Sequence, residues 1–368
     1  MANYLDYLRW RGDLDFKINP FNEVDAAIFA SLSYLPIEKY LRYRSSIDLE
    51  DVARLILDDK EISSSFDIST KVMLQLIILS PRFAHVKIID CFTKSQVTPA
   101  MQFTAATFRI LPHHLVISYR GTDHTMIGWS EDMTMSYANK IEGQQVAVEY
   151  LESIAAQHPH SKFNITGHSK GGNFATYASA FAGSSIQMRI EAIFNFDGPG
   201  FVPEIIAASG FQAITDRINS FVPQGSIFGL MLNHLETLNI IKSNKKILLQ
   251  HNPVTWDVAR NSFVKVDKLK TSSNIIDQSI KDWLADVPPE QREALWTSLF
   301  DALADINITE VDQLMRNKFF GALQLSKAYL ALDPATRLVA HKIVNELVQN
   351  IRRNIPNISP FNKPTDKQ

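Results

Sequence analysis

The spacing of apolar and polar residues divides the chain into a helical, a mixed and a second helical stretch. Residues 23–84 carry apolar positions three or four apart, as helices do, and Asn22 ahead of Glu23 is typical of a helix N-cap. In the mixed stretch a helix is predicted at 142–156, and short strands are predicted at 86–89, 103–110, 115–119, 162–166, 192–196, 217–222 and 246–250. Beyond about residue 270 only helical spacing remains.

Strands that alternate with helices across 115–265 predict an α/β fold whose central sheet is mostly parallel and flanked by helices. We expect an N-terminal helical segment at 1–85 packed on the core, the core itself at 86–265, a C-terminal helical extension at 266–354 and a flexible tail at 355–368. The extension is expected to pack on the core as a structural addition, and the alternative is a module that binds a protein partner. Its predicted helix starts are Pro288-Pro289, Thr309 and Asp333-Pro334.

Composition and charge remove several classes of function. The 368 residues are 45% hydrophobic and 21% charged, with a net charge of −2, so neither nucleic acid nor an anionic membrane is expected as an obligate partner. A single cysteine, Cys91, excludes an internal disulfide and fits a reducing compartment. The first ten residues lack the basic-then-apolar order of a signal peptide, so the expected location is the cytoplasm.

The clearest chemical motif is the G-x-S-x-G pattern within GHSKGG at 167–172. A predicted strand precedes it, and small residues suited to a helix packed closely on a sheet follow it. Strand, tight turn and helix form the nucleophile elbow of α/β-hydrolases, so Ser169 is the candidate nucleophile. The flanking glycines are expected to take strained backbone angles and to let the strand and the helix approach closely.

A serine hydroxyl becomes a good nucleophile when a base removes its proton and an acid orients that base. In α/β-hydrolases the chain order is serine, acid, histidine, and three histidines follow Ser169. His251 is the preferred base, because it follows the predicted strand at 246–250, at the sheet edge that carries catalytic groups. His234, in an apolar segment that reads as helical, is the alternative, and His341 lies inside a predicted helix.

Asp197 is the candidate acid, because it ends the strand at 192–196 that should lie beside the strand of the nucleophile. Asp216 and Asp257 are its competitors, and Asp197 could instead cap its own turn.

A tetrahedral intermediate also needs donors for its oxyanion. The expected donors are the backbone N–H of Lys170 and the N–H or hydroxyl of Thr122, at the end of the strand at 115–119.

These motifs resemble those of the class 3, or fungal triacylglycerol, lipases over roughly residues 100 to 260. The resemblance rests on SYRGT at 118–122, GWSED at 128–132, the elbow at 167–172 and FDGPG at 196–200. More closely, the chain is similar to a family of bacterial cytosolic proteins of unknown function related to those lipases, on NYLDY at 3–7, FNEVD at 21–25 and Gln250-His251 ahead of a tryptophan. The resemblance implies an α/β-hydrolase fold and a lid at 123–139, after the oxyanion strand.

Two positions depart from the lipase pattern. Lys170 stands where those lipases carry a leucine, and we expect a solvated surface side chain, with contact to an anionic substrate group as the alternative. Residues 222–228, where those lipases carry their acid, contain no carboxylate. Either Asp197 has taken over that role or the triad is degenerate.

The sequence therefore predicts a serine hydrolase of carboxylic esters, lipid or small acyl, with a Ser169 acyl-enzyme and His251 as base. Contact with a membrane surface would be transient. The alternative is a catalytically degenerate relative that binds a ligand or a partner, and a peptidase or an acyltransferase would use the same residues. No cofactor is expected, because the histidines at 113–114 and 158–160 lack partners at metal-ligand spacing and 167–172 lacks the ending of a phosphate loop.

Overall fold

An eight-stranded sheet lies at the centre of the molecule, with its strands in chain order. The computed structural model describes residues 2–349 except 124, 246, 311–317, 333, 335, 339, 343–344 and 346–347. The first four strands pair antiparallel, and β4 to β8 pair parallel. The strands are β1 (Ile47–Asp48), β2 (Lys87–Gln96), β3 (Met101–Leu111), β4 (His114–Tyr119), β5 (Lys162–His168), β6 (Ile190–Phe196), β7 (Ile218–Pro223) and β8 (Leu238–Ile241).

Helices cover both faces of this sheet. In chain order they are α1 (Tyr4–Arg11), α2 (Glu23–Leu32), α3 (Ile37–Leu41), α4 (Leu49–Asp58), α5 (Lys60–Ser65), α6 (Ile68–Ile78), α7 (Met126–Thr134), α8 (Glu142–Gln157), α9 (Lys170–Phe181), α10 (Ser184–Gln187), α11 (Pro203–Ile206), α12 (Ser209–Gln212), α13 (Thr271–Asp286), α14 (Pro289–Asp305) and α15 (Lys318–Ala331). A small hairpin joins β9 (Val258–Ala259) to β10 (Ser262–Phe263). No helix among the described residues is both long and apolar enough to cross a lipid bilayer.

Alternation along β3 shows how the two faces are filled. Phe103 and Ala105 belong to one apolar cluster, with α8 and α9, whereas Ala106 and Phe108 belong to the other, with α2. Side chains of a strand point alternately to the two faces of a sheet, and both are buried here. The α/β prediction is therefore confirmed, and with the serine turn between β5 and α9 the chain has the α/β-hydrolase fold.

One predicted strand is wrong. Residues 247–251 form a short 3-10 turn, and the eighth strand is instead β8, which pairs with 220–223 of β7. An apolar run as short as 247–249 is compatible with a strand and with a 3-10 turn, so the spacing of its residues does not distinguish the two. Here the buried Trp256 donates its indole N–H to the carbonyl of Gln250 at 2.7 Å, which holds the segment in a turn.

Three predictions for the C-terminal part concern residues that are partly or wholly outside the described ones. A helix is predicted to start at Thr309, but residues 311–317 lie outside the described ones, and Glu310 forms an isolated bridge with Thr125. The predicted cap at Asp333 and the tail at 355–368 lie outside the described residues.

A buried arginine holds separate parts of the N-terminal segment together. Arg82, which is 2% exposed, lies at 2.5 and 2.8 Å from the two carboxylate oxygens of Asp25 in α2. Its other N–H groups donate to backbone carbonyls at residues 14, 15, 19 and 20, so one side chain satisfies a loop that would otherwise bury unpaired acceptors. Tyr7 donates to the same carboxylate at 2.8 Å.

Arg82→Met should lower the free energy of unfolding by about 3–5 kcal/mol, because it leaves Asp25 buried without its cation. Equilibrium urea denaturation measures this loss. Arg9→Met is the matched control, because the ion pair between Arg9 and Asp6 lies at the surface and should contribute little to the free energy of unfolding. Equal stability of the two variants would contradict the role assigned to Arg82.

Candidate active site

The backbone turns sharply between β5 and α9, and Ser169 is the residue at the turn. Its φ of 58° and ψ of −133° are rare for a residue other than glycine and indicate a strained backbone. No described glycine has a positive φ. The glycines are needed for space instead, because a Cβ on Gly171 would lie only 2.1 Å from the carbonyl oxygen of Tyr119. The expectation that the glycines take the strained angles is wrong, because the serine itself takes them.

Asp197 follows β6 directly, and its carboxylate is buried. Oδ2 lies 2.7 Å from Nδ1 of His251, while Oδ1 accepts the hydroxyl of Ser226 at 2.5 Å and the N–H of Gly229 at 3.2 Å. The turn after β6 is capped by Asn195, whose Oδ1 accepts an N–H three residues later at 2.9 Å. Asp197 therefore does not cap its own turn, and its carboxylate is directed to the imidazole.

The backbone of His251 is held from two sides. Its carbonyl accepts Nε2–H of His168 at 2.8 Å, and the carbonyl before it, of Gln250, accepts the buried indole of Trp256. The imidazole, whose side chain is 22% exposed, lies between the rings of His168 and Phe228, with centroid distances of 4.5 and 4.6 Å. These contacts fix the ring while leaving part of it open to a substrate.

His168, directly ahead of the nucleophile, contacts Tyr34 and the backbone of His251 through its two ring nitrogens. Because a carbonyl can only accept, Nε2 carries the proton, and Nδ1 then accepts the hydroxyl of Tyr34 at 3.0 Å. Burial, and secondly the nearby His251, lower the pKa of His168 well below its ordinary value. Sequence reasoning missed both His168 and Tyr34, although His168 lies inside the G-x-S-x-G motif.

The turns of Ser169 and Asp197 lie against each other. The N–H of Ser169 donates to the carbonyl of Phe196 at 2.9 Å, one residue ahead of the acid. Among the hydrogen bonds of the described residues, none joins Oγ of Ser169 to His251. In many enzymes the hydrogen bond between nucleophile and base is long or absent without substrate and forms when substrate binds. Its absence here therefore does not argue against a catalytic triad.

The competing residues lie elsewhere. His234 lies in an irregular segment rather than a helix, and its Nδ1 contacts Oε1 of Glu236 at 2.9 Å. Asp216 is exposed in a 3-10 turn ahead of β7, at the opposite end of that strand from the site. Asp257 is buried with its carboxylate 3.6 Å from Nζ of Lys242. Among the described contacts none of these side chains meets His251.

The two expected oxyanion donors belong to Lys170 and Thr122, and they differ in the hydrogen bonds that their residues already make. The backbone N–H of Lys170 opens α9, and within the described part of the chain it has no hydrogen-bond acceptor. Thr122 donates its hydroxyl to the carboxylate of Asp132, at 2.6 and 2.8 Å, and its backbone N–H makes no hydrogen bond among those of the described residues. The strand end reaches the nucleophile, because a Cβ on Gly121 would lie 3.1 Å from that of Ser169.

The expectation of a solvated Lys170 side chain is wrong. The residue is 1% exposed, and Nζ lies 2.5 Å from Oε2 of Glu131 and 3.4 Å from Oδ1 of Asp132, so it is not free for an anionic substrate group either. Burial lowers the pKa of Lys170, but the two carboxylates outweigh it, and the net shift is upward. Glu131 also accepts the N–H groups of Gln102 and Gly143, at 3.0 and 3.1 Å. Sequence reasoning missed Glu131, because 39 residues separate it from its partner.

A small cavity opens beside Ser169 and Lys170, with about 60 Å³ of free space. Helix α7 forms one wall, so the segment predicted as a lid covers the candidate nucleophile, and its movement stays a prediction. Most of the lining is apolar, and its apolar members are Trp129, Met133, Met135, Pro199, Phe228, Met231, Leu232 and Leu284. In the part of the chain that the structure describes, no group of three or more His, Cys, Asp or Glu side chains is arranged to hold a metal ion.

Comparison with known proteins places the chain in a family. Residues 77–301 match the family model described as Mbeg1-like. The chain belongs to the Mbeg1-like family. No curated protein matches it.

Solved structures similar to this Mbeg1-like chain include several lipases. The native Rhizomucor miehei lipase propeptide complex is 15% identical over 69% of this chain and 76% of that one, with a TM-score of 0.39. Lipase II from Rhizopus niveus is 14% identical over 59% and 84%, with a TM-score of 0.35. Lip2 lipase from Yarrowia lipolytica is 13% identical over 63% and 97%, also with a TM-score of 0.35.

Lys170→Met should destabilise the protein by about 3–5 kcal/mol at pH 8, because Glu131 is then buried without its cation. Burial raises the pKa of Glu131, and Lys170 opposes that rise. Without the lysine the folded state binds a proton more tightly than the unfolded state, so the loss should grow as pH rises from 5 to 8. Urea denaturation at both pH values measures it.

The control for this prediction is Lys281→Met, which removes a surface lysine paired with Asp277. It should change stability little at either pH. Lys170→Met combined with Glu131→Gln should recover part of the loss at pH 8, since the buried charge is gone. A loss independent of pH would contradict the assignment.

Proposed function

We propose that the protein is a serine hydrolase that cleaves carboxylic esters through an acyl-enzyme on Ser169, with His251 as base and Asp197 as orienting acid. The observation that carries the proposal is the 2.7 Å contact between Oδ2 of Asp197 and Nδ1 of His251, at the sheet edge where Ser169 is strained into its turn. A purely structural aspartate–histidine pair would need neither the strained serine nor an apolar cavity beside it.

Each step of acyl transfer has a residue to perform it. Nε2 of His251 takes the proton of Ser169 as Oγ bonds to the ester carbonyl carbon, and the N–H groups of Lys170 and Thr122 donate to the resulting oxyanion. Collapse breaks the C–O bond to the alcohol, and the imidazolium returns the proton to that leaving oxygen. Water then attacks the acyl-enzyme by the same proton transfers and releases the carboxylic acid.

The environment of Asp197 suits the orienting role. Ser226 and Gly229 bind Oδ1, so the carboxylate cannot rotate away from the imidazole without losing two hydrogen bonds. Its contact with Nδ1 sets the tautomer, because the proton then resides on Nδ1 and leaves Nε2 free to accept from the serine. The segment 222–228, which lacks a carboxylate, thus still supports the acid through Ser226.

The second candidate function is ligand binding without turnover. The observation in its favour is that no hydrogen bond joins Oγ of Ser169 to His251 among the described residues. A fluorophosphonate probe separates the two functions, because it labels only a serine whose proton is being removed. Labelling of the wild type but not of Ser169→Ala supports the hydrolase, and absence of labelling in both supports the binding protein.

Asp197→Asn should lower kcat for a short-chain nitrophenyl ester by about 10²–10⁴-fold, because the wrong imidazole tautomer then faces Ser169. Steady-state rates of the wild type and the variant measure the effect. Asp216→Asn is the matched control, because that exposed aspartate is a rival acid in the sequence and lies away from the site. Equal loss in both variants, or none in Asp197→Asn, would rule out Asp197 as the acid.

A further inference from the structure

The residues that line the cavity beside Ser169 come from the hydrolase core and also from the C-terminal helical extension. We infer that the C-terminal helical extension forms one wall of an acyl-binding site and restricts it to short, uncharged acyl groups of about two to four carbons. The inference rests on the proposed ester hydrolysis for its catalytic part. It assigns to the extension a role in substrate selection beyond packing on the core.

Leu284 is the contact that brings the extension into the site. It belongs to α13 and lines the cavity together with Trp129 and Met133 of α7 and Met231 of the loop after β7. The apolar lining thus comes from separate parts of the chain, one of them the extension.

The position of this wall is fixed by packing on both sides of α7. On one side Glu131 is bound by Lys170 and by two backbone N–H groups. On the other side Met126 packs on the apolar cluster of α13 and α14, which contains Trp283 and Leu295, and its N–H donates to the carbonyl of Thr309 at 2.9 Å. Moving α7 away from the cavity would require breaking one of these two contacts.

The size of the cavity selects the chain length. An apolar protein cavity of about 150 Å³ accommodates benzene, with its six carbons. The free space here is about 60 Å³, which by the same proportion holds two to three carbons, and four with side-chain adjustment. Each methylene that fits should raise kcat/KM by about fourfold, and overpacking should lower it again by tenfold or more.

The chemistry of the lining selects an uncharged group. The cation at the cavity, Lys170, is held by Glu131 and Asp132 and is therefore not available to pair with an acidic acyl group. Methionines provide adaptable apolar surface at three positions, Met133, Met135 and Met231. Short alkyl carboxylic esters are the substrate class that meets these conditions.

The test is a series of p-nitrophenyl esters from two to ten acyl carbons, with kcat/KM measured for the wild type, Leu284→Ala and Leu299→Ala. Both leucines are partly buried against the same apolar cluster of the extension, but only Leu284 is among the residues that line the cavity. We expect the wild type and Leu299→Ala to prefer four carbons over eight by tenfold or more. Leu284→Ala should shift the optimum to six or eight carbons.

A wild-type optimum at eight carbons or longer would overturn the inference while leaving ester hydrolysis in place. The same chain-length profile for Leu284→Ala and Leu299→Ala would also overturn it, because the effect would then come from general loosening of the extension.

Ligand binding separates this inference from the proposed function. Saturation-transfer NMR on Ser169→Ala should show contact with methyl butyrate and none with methyl octanoate, whether or not the wild type turns over esters. Selective binding by a wild type that hydrolyses nothing would end the hydrolase proposal and keep the short-chain site. Binding of neither ester, or stronger binding of the octanoate, would end the short-chain site itself.

Discussion

The strained backbone of Ser169 is the constraint on which the site depends. A φ of 58° at a serine is maintained only if its surroundings over-determine it, and here β5, α9 and the end of β4 meet without room for a single extra methyl group. The close approach of Gly171 to the carbonyl of Tyr119 is one such contact. This turn presents the side chain of Ser169 at the sheet edge and sends that of Lys170 into the interior.

The parallel part of the sheet explains how two strands contribute to the surroundings of one carboxylate. β6 and β7 end at the same edge, and the N–H of Asp197 donates to the carbonyl of Phe221 in β7 at 2.8 Å. The side chain that follows β6 can therefore meet groups from the segment after β7. Asp197 occupies the nearer strand, while Ser226, from the segment after β7, binds its second oxygen.

Sequence reasoning succeeded where the signal is local. The strand, the small-residue helix and the serine between them stand within twenty residues, so their pattern predicts the elbow. It failed at 246–250, because a strand and a turn fixed by Trp256 share the same short apolar pattern. It failed also at Lys170, since local polarity predicts exposure and Glu131, on another element, supplies the compensating charge.

The buried lysine has a consequence that a leucine in its place would not have. Well-packed apolar residues often stabilise a core as much as a buried ion pair does, so stability alone does not account for Lys170 and Glu131. An ion pair differs in requiring one particular partner at one distance. Because Glu131 lies on α7, the pair fixes the register of that helix against α9. The wall over Ser169 is therefore positioned by Lys170, the residue that directly follows the candidate nucleophile.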